Sequence, residues 1–132
     1  MTVLDTSAVI DFLLGSGTAP EVENLMTEEG ELAAPDLIVF EVLAVLRRAA
    51  ISKQLPAKRA TAAIDDLADL PLELFPSLPL RGRAWELRHN LTAADALFVA
   101  LAERLDEPLA TKDTALARAA SKHTTITTVV LA

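Results

Sequence analysis

Short apolar runs alternate with longer helical stretches from one end of the chain to the other, and no other feature limits its fold as much. The first run, Met1 to Leu4, is too brief for a helix and is followed at once by Asp5-Thr6-Ser7, which predicts a buried strand ending at an acid. A helix over about Ser7–Leu14 stops at Gly15, a residue that tolerates the left-handed backbone of helix ends. Further helices are predicted over residues 20–28, 36–50 with Asp36 as cap, 56–68, 81–89, 93–105 and 114–121. Strands are predicted over 31–34, 71–75, 108–111 and 124–131. This order implies an α/β fold with a central, mostly parallel sheet of four to five short strands joined by right-handed crossovers. With 132 residues, no internal repeat and no long linker, the chain reads as one domain over residues 1–132.

Hydrophobic residues make up 52% of the chain and aromatic ones only 4%, so the core must be aliphatic and rich in alanine. The absence of cysteine removes disulfides and thiolate metal sites together. No apolar stretch approaches the roughly 18 residues of a membrane span, so a soluble, unprocessed cytoplasmic protein with no membrane partner is expected. A net charge of −7 argues against coating of nucleic acid through overall charge. No Lys or Arg precedes Arg47, so a polyanion would have to approach through local basic clusters or through a cation held by acids. Glu21 to Glu31 reads as a solvated surface, and Arg47, Arg48, Lys53, Lys58 and Arg59 as a solvated helix face in preference to an RNA contact.

Four acids stand out. Asp5 follows the first strand and Asp113 the fourth, which places both at the carboxyl edge of a parallel sheet, where ligands bind. Glu41 lies in the early turns of the helix leaving the second strand, and Asp95 in the first turn of the helix that runs back to strand four. Each Asp also has a local explanation: Asp5 and Asp113 as helix caps, Asp95 as the acid of a Thr92-Ala93-Ala94-Asp95 capping box. Glu41 has none within its helix, because residues 37, 38, 44 and 45 are all apolar. The stretch Leu37 to Leu46 is apolar nearly all round, which predicts a buried helix and a carboxylate that needs a partner from elsewhere, an Arg or a cation.

Two full charges about 5 Å apart at an effective dielectric near 20 repel by roughly 3 kcal/mol. Four gathered acids would therefore take up protons or hold a cation. An all-oxygen donor set favours Mg²⁺, with Mn²⁺ as substitute, and disfavours zinc. Such a site suits phosphodiester hydrolysis, through one ion or two. His89 and His123 have no motif around them, and no glycine-rich phosphate loop is present.

Val3-Leu4-Asp5-Thr6-Ser7-Ala8, the Glu of Phe40-Glu41-Val42, the stretch Ala94 to Ala102 and Leu109-Ala110-Thr111-Lys112-Asp113 resemble the ordered signature of PIN-domain ribonucleases. Length and arrangement are most similar to the VapC-type toxins of toxin–antitoxin pairs. The resemblance implies a three-layer α/β/α fold and a magnesium-dependent endoribonuclease, with Asp5, Glu41, Asp95 and Asp113 as metal-binding and catalytic acids. It implies that Thr6 and Thr111 orient a carboxylate or a water. It also implies a homodimer, or a larger assembly with a VapB-like antitoxin that inserts an Arg into the acidic pocket. Val99 stands where some members carry a further acid four residues after Asp95, which weakens the case for a full second metal site. Arg88 and Lys112 are the candidates for contacts with substrate phosphates; for Arg88 a salt bridge or a charge at a helix C-terminus is the competing reading.

A different class of function keeps the fold and the acids but catalyses nothing: a binding module whose pocket docks a partner's arginine. A haloacid-dehalogenase-type phosphatase, which also starts with an Asp after strand one, needs a second Asp where this chain has Ser7.

Overall fold

Three buried strands carry the centre of the molecule because every one of their side chains is apolar or small. In the computed structural model, which describes residues 1–132, these are β1 (Val3–Leu4), β2 (Leu32–Pro35) and β4 (Leu109–Thr111). The edge strands β3 (Leu72–Phe75) and β5 (Thr128–Val130) are partly exposed. All pairings are parallel, in the order β3-β2-β1-β4-β5, with Val3 opposite both Ala33 and Leu109. The chain therefore builds outward from β1 in one direction through β2 and β3, then returns to the other side with β4 and β5. The crevice at the carboxyl ends of β1 and β4 is the switch point where open α/β sheets bind ligands.

The helices are α1 (Thr6–Leu14), α2 (Ala19–Glu29), α3 (Leu37–Ile51), α4 (Ala57–Leu67), α5 (Arg81–Glu86, preceded by a 3₁₀ turn over Leu78–Leu80), α6 (Ala93–Leu105) and α7 (Thr114–His123). They flank the sheet, as the resemblance implied. α6 is the central one: it packs on β1, β2 and β4, and buries Ala96 and Phe98 to Ala102. No helix is long and apolar enough to cross a membrane.

Three local expectations are corrected. α3 is not buried all round: Ile38, Val42 and Leu46 face the core, while Phe40, Leu43 and Val45 are exposed. Apolar periodicity cannot distinguish a face covered by the chain's own core from one left open, and α3 has α4 as a lateral neighbour with bare surface beside it. Asp36 does not cap α3 with its side chain. It adopts helical backbone and instead accepts hydrogen bonds from the Ser77 N–H (3.2 Å) and hydroxyl (2.6 Å), tying the start of α3 to the exit of β3. The terminal strand is short, residues 128–130, because α7 runs on to His123 and the Thr124 N–H and hydroxyl both donate to the Ala120 carbonyl.

Candidate functional site

Asp5 ends β1, and its carboxylate caps α1 by accepting the Ala8 N–H at 3.1 Å. The Ser7 hydroxyl donates to the same carboxylate, and the Thr111 hydroxyl, from the end of β4, donates to Oδ2. Having given its proton to Asp5, the Thr111 oxygen accepts the Asp113 N–H at 2.9 Å. One hydroxyl thus joins two acids that lie 108 positions apart in sequence. Asp113 caps α7, accepting the Leu116 N–H at 3.0 Å. Asp95 stands in the first turn of α6, where its N–H donates to the Thr92 hydroxyl at 3.1 Å. The helix-capping readings of Asp5 and Asp113 therefore hold alongside any function: a cap fixes a carboxylate at a helix N-terminus, whose positive dipole end tolerates negative charge.

Glu41 stands on the wall formed by α3, half-buried rather than sealed in the core. It has no Arg partner; the Thr6 hydroxyl donates to its Oε1 at 2.6 Å and leaves Oε2 free. Thr6 and Thr111 each orient one of the four acids through a hydroxyl.

Asp5, Glu41, Asp95 and Asp113 all line one cavity of about 840 Å³. They do not close into a group of three that would grip a single ion between them. The acids share a cavity and leave room between them for water and ligand. Their mutual influence is nevertheless felt. Burial pushes the Asp5 carboxyl above its ordinary range against the hydrogen bonds of Thr111, Ala8 and Ser7, and the charge of Asp113 adds to the rise. Asp95 is likewise raised by burial, opposed by Thr92, and raised further by the charges of Asp113, Asp5 and Glu41.

Arg88 lies outside this cavity. Its guanidinium stacks over Trp85 at 4.6 Å from the ring centroid and donates to the Trp85 carbonyl, a local arrangement at the end of α5. Lys112 does line the cavity, but its ammonium contacts both oxygens of Asp11 at 2.9 Å.

Asp11 was missed by sequence reasoning. It is buried on α1, accepts the Thr18 N–H and hydroxyl at 2.9 Å each, and lies so close to Gly17 (φ 51°) that a Cβ there would overlap its carboxylate. Burial opposes its ionisation, yet Lys112 and Thr18 outweigh that and hold the carboxyl below its ordinary range. The available signal was the one that exposed Glu41: an acid between Val9-Ile10 and Phe12-Leu13 with no cation on its own helix. Arg48, assigned to a solvated face, also lines the cavity. It stands seven residues after Glu41, two turns along one helix face.

Thr111→Val tests the hydroxyl bridge. It removes a donor from Asp5 and an acceptor from the Asp113 N–H while keeping side-chain size. A stability loss of about 1–3 kcal/mol is expected in chemical denaturation; a neutral substitution would mean that solvent replaces both bonds.

Residues 2–122 match the family model described as PIN domain. The chain is 43% identical over 118 residues to Ribonuclease VapC1 of Mycobacterium tuberculosis, covering 89% of each protein. It is 36% identical over 129 residues to VapC ribonuclease Mb0985 of Mycobacterium bovis, 98% of each. With Ribonuclease VapC12 of Mycobacterium tuberculosis it shares 32% over 118 residues, 89% of this chain and 91% of that one. A domain match over most of its length, relatives at this identity, and a parallel sheet with carboxylates around its switch point make this chain a member of the PIN-domain family, of the VapC type.

Proposed function

We propose that this chain is a metal-dependent endoribonuclease, the toxin of a toxin–antitoxin pair, that hydrolyses RNA phosphodiesters in the carboxylate cavity. The observation that carries the reading is the presence of Asp5, Glu41, Asp95 and Asp113 around one cavity at the switch point, with Asp5 and Asp95 both raised by burial and neighbouring charge.

The donor set fits a hard cation. Every candidate ligand is a carboxylate oxygen, which suits Mg²⁺, an ion that keeps several waters and is held through one or two carboxylates. One or two of Asp5, Asp95, Asp113 and Glu41 would ligate it directly and the others through its waters; Mn²⁺ is the expected substitute. When bound, Mg²⁺ supplies Lewis acidity toward a phosphate oxygen and makes a water more acidic. The protein's own part is orientation. Ala8, Ser7 and Thr111 hold Asp5 at both oxygens, so its direction is set before any ligand arrives. Thr6 holds one oxygen of Glu41, so that Oε2 can accept the proton of an attacking water. The VapC type brings with it, as part of this proposal, a VapB-like antitoxin, a homodimeric toxin and a cytoplasmic site of action.

Metal removal is the direct test. Purified protein should cut RNA in Mg²⁺ or Mn²⁺ and lose activity by about a thousandfold or more in excess EDTA, the equivalent of the several kcal/mol a metal ion contributes. Calorimetry should register Mg²⁺ binding. A pocket that only docks a partner's arginine would need no metal and release no fragments, and that result would overturn the reading.

A further inference from the structure

Five acids and two bases line the carboxylate cavity, and one of those bases, Lys112, is already engaged by Asp11. A polyanionic strand can meet this cavity at the reacting phosphate, where a cation offsets the charge. The nucleotides on either side need a path that does not repel them.

Such a path leaves from the wall formed by α3. Between α3 and α4 runs a groove of about 580 Å³ that shares Phe40, Ala44 and Arg48 with the cavity. Eight of its eleven lining residues are apolar, and its only charged ones are Arg47 and Arg48, a local reversal of sign in a chain of net charge −7. Arg48 takes part in none of the protein's ion pairs. Phe40, beside Glu41 in sequence, is 68% exposed.

We propose that this groove carries single-stranded RNA into the cavity, with Arg48 holding a backbone phosphate and Phe40 stacking on a base. The inference rests on the nuclease reading of the adjoining cavity. An exposed aromatic ring and an unpaired cation along one groove are the combination that binds single strands with little regard to sequence, and the planar guanidinium fork matches a phosphate in a way an ammonium does not. Two arginines engaged in no ion pair, and the continuity with the cavity, favour a polyanion over a peptide as occupant.

The test uses a labelled, mixed-sequence, single-stranded oligoribonucleotide of about 12 nucleotides. Binding is followed by fluorescence anisotropy in Mg²⁺ on an Asp95→Asn background, and cleavage on the otherwise unaltered chain. Arg48→Ala and Phe40→Ala should each weaken binding about tenfold. Arg48→Ala should also reduce the slope of log affinity against log salt by about 0.7, and Arg48→Lys should restore that slope. In cleavage the loss should fall mainly on KM. Both side chains are exposed, so melting temperatures should stay within about 2 °C of the parent. Unchanged affinity and salt slope in a chain that still cuts RNA would overturn the strand path, leave the nuclease reading standing and assign the groove to a protein segment. Binding that depends on Arg48 and Phe40 in a chain that releases no fragments would support the path and remove the nuclease reading. A chain that binds no oligonucleotide would overturn the path.

Discussion

Asp95→Asn is expected to reduce RNA cleavage by about a thousandfold and, at the same time, to stabilise the metal-free protein. The first effect follows from the loss of a negative charge that, in the proposed site, faces the cation, with only the Thr92 hydroxyl as a competing partner. The second follows from the sign of its ionisation. In the folded state burial, and then the charges of Asp113, Asp5 and Glu41, raise the Asp95 carboxyl above its unfolded value. The folded chain therefore binds this proton more tightly than the unfolded chain. Stability is lost as pH rises from the ordinary aspartate range, about 4, through the raised value, and the full penalty is present at neutral pH. Asparagine carries none of it. Asp95 is only half-buried, so solvent screening limits the gain to at most about 1 kcal/mol. Thermal melts in EDTA from pH 4 to pH 7 should show the variant's advantage growing with pH. Adding Mg²⁺ should reverse the order by stabilising the parent alone. Cleavage at the parental rate by the variant would remove Asp95 from the proposed machinery.

Phe98→Ala should cost about 3–5 kcal/mol, a large share of the 5–15 kcal/mol that holds an ordinary domain folded. Phe98 is 2% exposed, is the bulkiest of the fully buried side chains, and sits on α6 three residues after Asp95. It belongs to the buried hydrophobic core and also forms part of the cavity lining. The substitution should lower the urea midpoint steeply, and Phe98→Leu should recover most of the loss. Because α6 carries Asp95, activity should fall even under conditions where the variant remains folded. A loss below about 1 kcal/mol would mean that the core closes over the missing ring.

The three aspartates show why local and functional readings of a residue need not compete. Asp5 and Asp113 are helix caps, and Asp95 lies in the capped first turn of α6; all three line the cavity. A cap is a local device, legible in a few residues, and it aims a carboxylate along the start of a helix. Glu41 was conspicuous because no cation stands three or four residues from it on its helix; the full burial inferred with it is corrected by the structure, where it is half-buried. What the apolar run of α3 could not reveal was which face would remain bare. The same ignorance hid Arg48, which looked like an ordinary cation near a helix end until α3 was set beside the cavity. Arg88 is the opposite case: it is near Asn90 and the start of α6 in sequence, but it stacks on Trp85 of its own helical turn and does not line the cavity.

From the order of residues alone came the sequence of strands and helices, the caps at Asp5, Thr92 and Asp113, the aliphatic core and the position of an acid at the end of β1 and after β4. These are short-range consequences of side-chain periodicity, glycine and proline placement, and hydrogen bonds spanning a few residues. The three-dimensional arrangement decided the rest. Placing β1 beside β4 lets the Thr111 hydroxyl bridge Asp5 and Asp113 and lets Lys112 close on Asp11. Packing α4 against α3 leaves an acid-free groove open at Phe40 and Arg48. Such contacts join residues far apart in the chain, and their partners are selected by strand order and helix packing, which no local pattern specifies.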